Sequence, residues 1–248
     1  MEILYIMWLR QLKRYWRSKT RMLGIISQPL LFLIALGFGL GHIYQKAGSG
    51  DYIQFLAPGV IAMSILFTSM FAGIEVIWDR QFGFLKETLV APVSRFKIML
   101  GRTLGGATVS LIQGIIVSII CLIFGFKINN FLQLPIAFIF MLLIAIIFTA
   151  LGTAIASKLE DMQTFPLVRE FLIMPIFFLS GALFPLEGLP KVIEIIARID
   201  PLSYGVDGLR GAMTGVYTLG LGIDLLVLVL LMIVVLALGS YLFSKIQL

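Results

Sequence analysis

The chain has 248 residues, 60% of them hydrophobic and only 13% charged, with a mean hydropathy of +1.04 and a formal net charge of +6. Soluble domains are about half apolar and a quarter charged, so this composition excludes an ordinary water-soluble fold and specifies an all-α, multi-pass integral membrane protein. One cysteine, Cys121, and one histidine, His42, exclude an internal disulfide and the usual Cys/His metal cluster, and the basic residues border apolar runs instead of gathering into a nucleic-acid-binding face.

Residues 1–21 predict an amphipathic helix. Arg10, Arg14, Arg17 and Arg21 recur at helical spacing, with Leu4, Trp8, Leu12 and Tyr15 as an opposing stripe. That pattern suits a helix lying in the headgroup layer; a plain positively charged flank is the other reading. A cleaved signal peptide fits worse, because the apolar run that follows is too long and has no clear small-residue cleavage site. Six spans are expected, at residues 22–44, 55–78, 103–126, 134–157, 165–184 and 223–244, each near the roughly 20 residues that cross hydrocarbon. Pro29 and Pro175 fall inside spans, where they are expected to kink the helix. Gly37 with Gly41, and Gly101 with Gly105, have the small-xxx-small spacing that lets helices approach, but among 24 glycines chance accounts for such spacing more readily.

The longest charged segment between two apolar runs is residues 79–102. It predicts a short helix over 80–90, with Phe82, Leu85 and Leu89 on one face and Arg80, Gln81, Lys86 and Glu87 on others. Pro92 should end it, and Ser94 could cap a second helix that carries Arg95, Lys97 and Arg102 into the third span. If the amino terminus is cytoplasmic, 14 of the 19 Lys and Arg residues fall on that side, which places both termini and this elbow in the cytoplasm. On the other side, the loops around Gly48 and Asn129 are short, but 185–222 is long and patterned. Pro190, the apolar positions Val192, Ile193, Ile195, Ile196 and Ile199, and Asp200-Pro201 predict a short helix that stops abruptly, followed by a second around 204–213. The pair is too short to cross, and reads as an interfacial or re-entrant hairpin; a simple solvated loop would be less apolar.

Catalytic chemistry finds no footing. The sequence contains no Gly-Lys pair and hence no phosphate-binding G-x-x-x-x-G-K-[ST] loop. Leu179-Ser180-Gly181-Ala182 is a faint echo of a nucleotide-binding signature inside an apolar span, where helix packing explains it better. There is no G-x-S-x-G nucleophile, and His42 is the only imidazole. Glu75, Arg169, Glu170 and Asp224 lie near span ends, within reach of an interface or a neighbour, so none needs to bear a charge at mid-membrane; Gln113 is deeper. The two halves do not share the Gly/Pro breaks of an inverted-repeat carrier. Energy for work is therefore expected from elsewhere.

Three segments resemble the membrane subunit of type-two ABC exporters, the permeases of drug, lipid and polysaccharide export. They are GFLKETLVAPVSR (83–95), FFLSGALFPLEGLP (177–190) and IDPLSYGVDGLRG (199–211), in matching order and spacing over nearly the whole chain. The resemblance implies a single permease domain over 1–248, paired with a second copy or a related permease around a translocation path. Two copies of a separately encoded ATP-binding subunit would dock beneath the membrane and bind the ATP and Mg, so that this chain carries no cofactor, metal or catalytic residue. On that pattern Gly83–Arg95 is the coupling helix: Phe84, Leu85 and Leu89 would seat in a groove of the ATPase, Lys86, Glu87 and Arg95 would fix the register, and Pro92 would end the element. Pro185, Pro190, Pro201, Tyr204, Asp207 and Arg210 would belong to an external gate, although Asp207 and Arg210, three apart on a helix, could equally form a local surface ion pair. An amphipathic cargo (drug, lipid or glycan-linked lipid) would suit a path lined from 20 phenylalanines. Larger members carry a fused ATPase or an external domain; here the partner is expected in trans. Two other classes stay open from the sequence: an ion-coupled secondary transporter, and a membrane scaffold whose elbow anchors a soluble partner.

Overall fold

Within hydrocarbon each backbone N–H and C=O must be satisfied inside its own segment, so the apolar runs fold as helices. The computed structural model describes residues 2–46, 51–90, 92–159, 161–186, 188 and 190–246; the loop expected around Gly48, and the side chain of Arg21, lie outside the described residues. The helices are α1 (Glu2–Arg17), α2 (Lys19–Lys46), α3 (Tyr52–Gln81), α4 (Phe84–Val90), α5 (Arg95–Ile123), α6 (Leu134–Ala156), α7 (Phe165–Val168), α8 (Met174–Leu179), α9 (Lys191–Ile199), α10 (Pro201–Thr214) and α11 (Leu221–Ser244).

Among the described residues, 5 segments are long and apolar enough to cross a membrane: Met22–Tyr44 within α2, then α3, α5, Phe131–Ala156, which includes α6, and α11. The fifth expected span, at 165–184, is a shorter broken rod: α7, a π turn over Arg169–Ile173, and α8. At 1.5 Å per residue it reaches about 22 Å, short of the roughly 30 Å core. Pro175 has no N–H for the carbonyl four residues back, and beside it the Met174 N–H reaches Arg169, five residues back. Pro29, in contrast, sits inside an unbroken α2.

The second span differs at both ends from the expected 55–78. It begins at Tyr52, where the Asp51 carboxylate accepts from the Ile53 N–H at 3.0 Å, and it runs on to Gln81. Its last helical bond runs from the Phe82 N–H to the Trp78 carbonyl, the Gly83 N–H tightens onto that of Arg80, and Gly83, at φ +79, then turns the chain away. The single helix expected over 80–90 is thereby split, and α4 starts at Phe84.

α3 is the hub, buried along nearly its whole length among α6, α5, α2 and α10. Its approach to α6 depends on two glycines: a Cβ at Gly73 would overlap the Thr149 carbonyl and the Gly152 backbone, and one at Gly152 would press on the Met70 carbonyl. α2 and α11 stand outside, with apolar side chains such as Leu31, Phe38, Leu230 and Val234 exposed, as lipid-facing helices present them.

The first helix is not a free float on the bilayer. A Cβ at Gly101 would meet Met7 and Leu4, and one at Gly105 would meet Gln11 and Trp8, so the pair that chance spacing was expected to explain is the seat of α1 on α5. Gly37 makes only ordinary contacts and Gly41 none within 4 Å. Trp8 and Tyr15, expected at the lipid interface, instead face α5: the Trp8 indole donates to Thr108 at 3.0 Å and the Tyr15 hydroxyl to the Gln113 side-chain oxygen at 2.8 Å. Tyr5, Ile6 and Trp16 stay exposed on the outer face. At the opposite end of the bundle, Asp200 closes α9 and caps α10, its carboxylate accepting from the Leu202 N–H at 2.9 Å.

Candidate functional site

Asp79 lies in the last turn of α3, where the partial negative charge of the helix end is unfavourable to another anion. Its side chain is only 5% exposed, so the charge has to be met by cations. Arg10 of α1 meets it with both terminal nitrogens, at 2.9 and 2.7 Å; Arg102 of α5 donates to the same carboxylate; and Arg14 approaches at 3.4 Å. Arg14 is also 3.5 Å from Glu75, one turn back on α3. The node extends to the elbow, because the Arg10 guanidinium lies 3.6 Å from the centroid of the Phe84 ring at the start of α4.

That arrangement fixes which way the elbow faces. Leu85 is fully buried and Thr88 nearly so, and Phe84 and Leu89 pack in the same cluster with Ile77, Ile98 and Met99. The stripe expected to enter a partner's groove is thus turned into the chain's own core. Lys86 and Glu87 are exposed, together with Phe82 and Val90, while Gly83 supplies the bend and Pro92 follows exposed after α4. Arg95, expected to fix the register with a partner, donates to the carbonyls of Ser244 at 2.6 Å and Ile246 at 2.8 Å, and so ties the elbow to the end of α11.

Beside the node is a cavity of about 860 Å³ between α2, α3 and the α7–α8 rod. Along α3 it is lined by Ser64, Phe67, Phe71, Glu75 and Trp78, which share one face of the helix and run toward the elbow. Arg14, Glu75 and Arg169 give it a charged end; Ile25, Phe67 and Phe71 make the rest apolar. The Arg169 guanidinium bonds to Glu170 within the π turn, at 2.7 Å.

The far end carries the other predicted residues. Pro185 and Pro190 are exposed, Pro190 just before α9, and Pro201 is the first residue of α10. The Tyr204 hydroxyl donates to the Arg198 carbonyl at 2.6 Å, joining α10 to α9. Asp207 and Arg210 do not form the local ion pair that their spacing allowed. Asp207 is buried and accepts from the N–H groups of Thr218 at 2.9 Å and Leu219 at 2.7 Å; Arg210 donates to carbonyls of other segments. Burial pushes the Asp200 carboxyl up to about 7, against the opposing pull of the Leu202 N–H. Among the described residues no group of three or more His, Cys, Asp or Glu could hold a metal ion, and the Ser180 hydroxyl is spent on the Phe177 carbonyl at 2.8 Å.

Sequence reasoning missed Asp79, Arg10 and Arg102 as one unit, although a signal was present. Glu75 and Asp79 are four apart at the end of one helix, and Arg10 and Arg14 are four apart on another, which makes two complementary faces.

The sequence matches the family described as ABC-2 type transporter over residues 2–214. Among individual relatives, the transport permease ycf38 of Cyanophora paradoxa is 33% identical over 207 residues, covering 81% of this chain and 69% of that protein. Nodulation protein J of Rhizobium leguminosarum bv. trifolii is 31% identical over 196 residues, covering 78% of this chain and 74% of that protein.

Proposed function

The chain belongs to the ABC-2 type transporter family, and on that premise we propose that it is the membrane-spanning subunit of an ATP-driven exporter of an amphipathic cargo, worked by a separate ATP-binding subunit. The observation that carries this reading is the elbow: α4 hangs from the α3–α5 joint on the Arg10–Asp79–Arg102 node and presents Lys86, Glu87 and Val90 outward, beside the exposed Phe82 at the end of α3. An exposed patch with apolar and charged members, mounted on buried ion pairs, suits a surface that receives force from a partner and passes it to three helices at once.

In this reading both termini and the elbow face the cytoplasm, two ATP-binding subunits holding ATP and Mg dock there, and a second copy or a related permease completes the path. ATP binding supplies a preference between two arrangements of the helices; the node transmits that preference. The cavity between α2, α3 and the α7–α8 rod receives the cargo, its charged end taking a polar head and its aromatic length an apolar tail, as a drug, a lipid or a glycan-linked lipid would offer. The α9–α10 hairpin covers the exit.

Glu87→Lys tests the coupling. Reversing this exposed charge should abolish stimulation of the ATPase by the permease, and transport with it, while membrane insertion and the α4 fold persist. Unchanged stimulation and unchanged export would refute the role of the elbow.

A further inference from the structure

The turn from α10 to α11 closes over two acids. Gly215 at φ +86 and Gly220 at φ +107 bend the chain back, and a Cβ at Gly211 would overlap the Tyr217 ring, so the turn lies on the face of α10 that Asp207 and Gly211 share. Asp207, 5% exposed, accepts from the Thr218 N–H at 2.9 Å and the Leu219 N–H at 2.7 Å. Asp224, in the first turn of α11, is 0% exposed, and neither of its carboxylate oxygens receives a hydrogen bond from a described residue. What its carboxyl meets, within hydrogen-bonding reach, is the carboxyl of Asp207. Two acceptors face each other with no hydrogen to share.

Among the described residues the groups around this pair are spent elsewhere. The Tyr217 phenol, pushed above its ordinary value by burial and then by both acids, points its hydroxyl at the Gln133 side-chain oxygen, 3.4 Å away. Arg210, three residues along α10, acts on Asp207 through space but donates to the Gly181 and Phe55 carbonyls; burial lowers its pKa to about 10, against the pull of Asp207 and Tyr44, so it is cationic at neutral pH. On α9, Arg198 bonds Glu194 at 2.7 Å, and on α3 the Tyr52 hydroxyl donates to the Leu183 carbonyl. α6 packs against α10 and α11 with no titratable side chain between Leu134 and Ala156, and α5 brings Arg95 to α11 only at its far end, at Ser244.

Two carboxylates buried side by side cannot both ionise, so one keeps a proton and donates it to the other in a short, charge-assisted bond. The two N–H groups and the Arg210 cation favour the anion on Asp207, which leaves the proton to Asp224. We propose that Asp207 and Asp224 are a proton-binding site, a buried carboxyl–carboxylate pair that takes up one proton and uses it to fasten the head of α11 to α10. This goes beyond the export reading and does not depend on it.

The test is infrared spectroscopy of the purified full chain at pH 7, in an Asp200→Asn background because the Asp200 carboxyl is itself pushed up to about 7. The parent should show the C=O stretch of a protonated acid and Asp224→Asn should lose it; a band that persists in Asp224→Asn, or is absent from the parent, overturns the proposal. In Asp207→Asn the band should remain and move to higher frequency, since the acid no longer donates to a carboxylate. An unmoved band would make Asp224 a lone buried acid and overturn the pair, and this arm decides even if Asp224→Asn does not fold. Sodium or calcium chloride should leave the parent band in place; its loss on adding either salt assigns the site to a metal cation and overturns the proton. Hydrogen exchange at one fixed pH reads the fastening. Over 216–224, Asp224→Ala should exchange about tenfold faster than the parent, the scale of a lost charge-assisted hydrogen bond. Asp224→Asn should stay within about twofold, its amide donating to Asp207 in place of the acid. Exchange in Asp224→Ala no faster than in the parent overturns the joint. No arm uses ATP or cargo, so failure here leaves the export reading standing, and a failed elbow test leaves these measurements valid.

Discussion

Asp79 gathers three cations at the foot of α3, and its pair with Arg102 is the least exposed of them, with side chains 5% and 2% exposed. Removing one member of such a pair costs about 3–5 kcal/mol, because the other is left buried and unmatched. Asp79→Asn should therefore lower the melting temperature of the purified protein sharply, and Asp79→Asn with Arg102→Met should recover much of the loss; a double variant no more stable than the single one would show that the pair is not the unit. Asp200 gives a prediction with a pH sign. Its carboxyl, at about 7, is above the ordinary value near 4, so the folded state favours the protonated form. The stabilisation is complete below about pH 4 and is lost as pH rises through about 7. Stability should fall from pH 5 to pH 8 in the parent and show a weaker slope in Asp200→Asn, which keeps a capping oxygen for the Leu202 N–H; equal slopes would contradict the assignment. Neither site was legible from the sequence as a unit. Charge position along the chain showed that Glu75 could reach a neighbour, but not that arginines more than sixty residues away would be that neighbour.

Helix existence was legible because apolar runs of spanning length leave the backbone one solution, and 5 of the expected spans are present as long helices. The fifth expected span is not one long helix, for a local reason, the missing N–H of Pro175, which an apolarity count does not register. In the elbow a short helix, α4, occupies part of the expected 80–90: amphipathic periodicity identifies a stripe and leaves open whether the protein itself or a partner covers it, and here Leu85 goes inward. Glycine spacing was undervalued, since whether Gly105 is a seat or an accident depends on what faces it. Gly105→Leu should drive its side chain into Gln11 and Trp8, loosening α1 at a cost of about 1–3 kcal/mol. Limited proteolysis at Lys13 and Arg17 should speed up in that variant and not in Gly41→Leu, whose position is open; equal cleavage in both would remove α1 from its seat in this account.

Across the whole molecule the two ends are built differently. Buried ion pairs join α1, α3 and α5 at the elbow end, a stiff joint suited to receiving force. At the other end, Arg210 of α10 donates to the Gly181 carbonyl and lies against the Phe55 ring, tying the hairpin to α3 and to the turn after α8. The cavity lies beside the stiff joint and shares Arg14 and Glu75 with it. The central claim is that this chain takes its energy from a subunit bound at α4. It is tested most directly by one thiol at the elbow, Lys86→Cys with Cys121→Ala, in sealed vesicles of known orientation containing the permease with and without its ATP-binding subunit. The account predicts reaction with an impermeant maleimide only from the face where ATP is hydrolysed, and protection once the ATP-binding subunit is bound; reaction from the opposite face, or a thiol as reactive in the complex as in the chain alone, would contradict it.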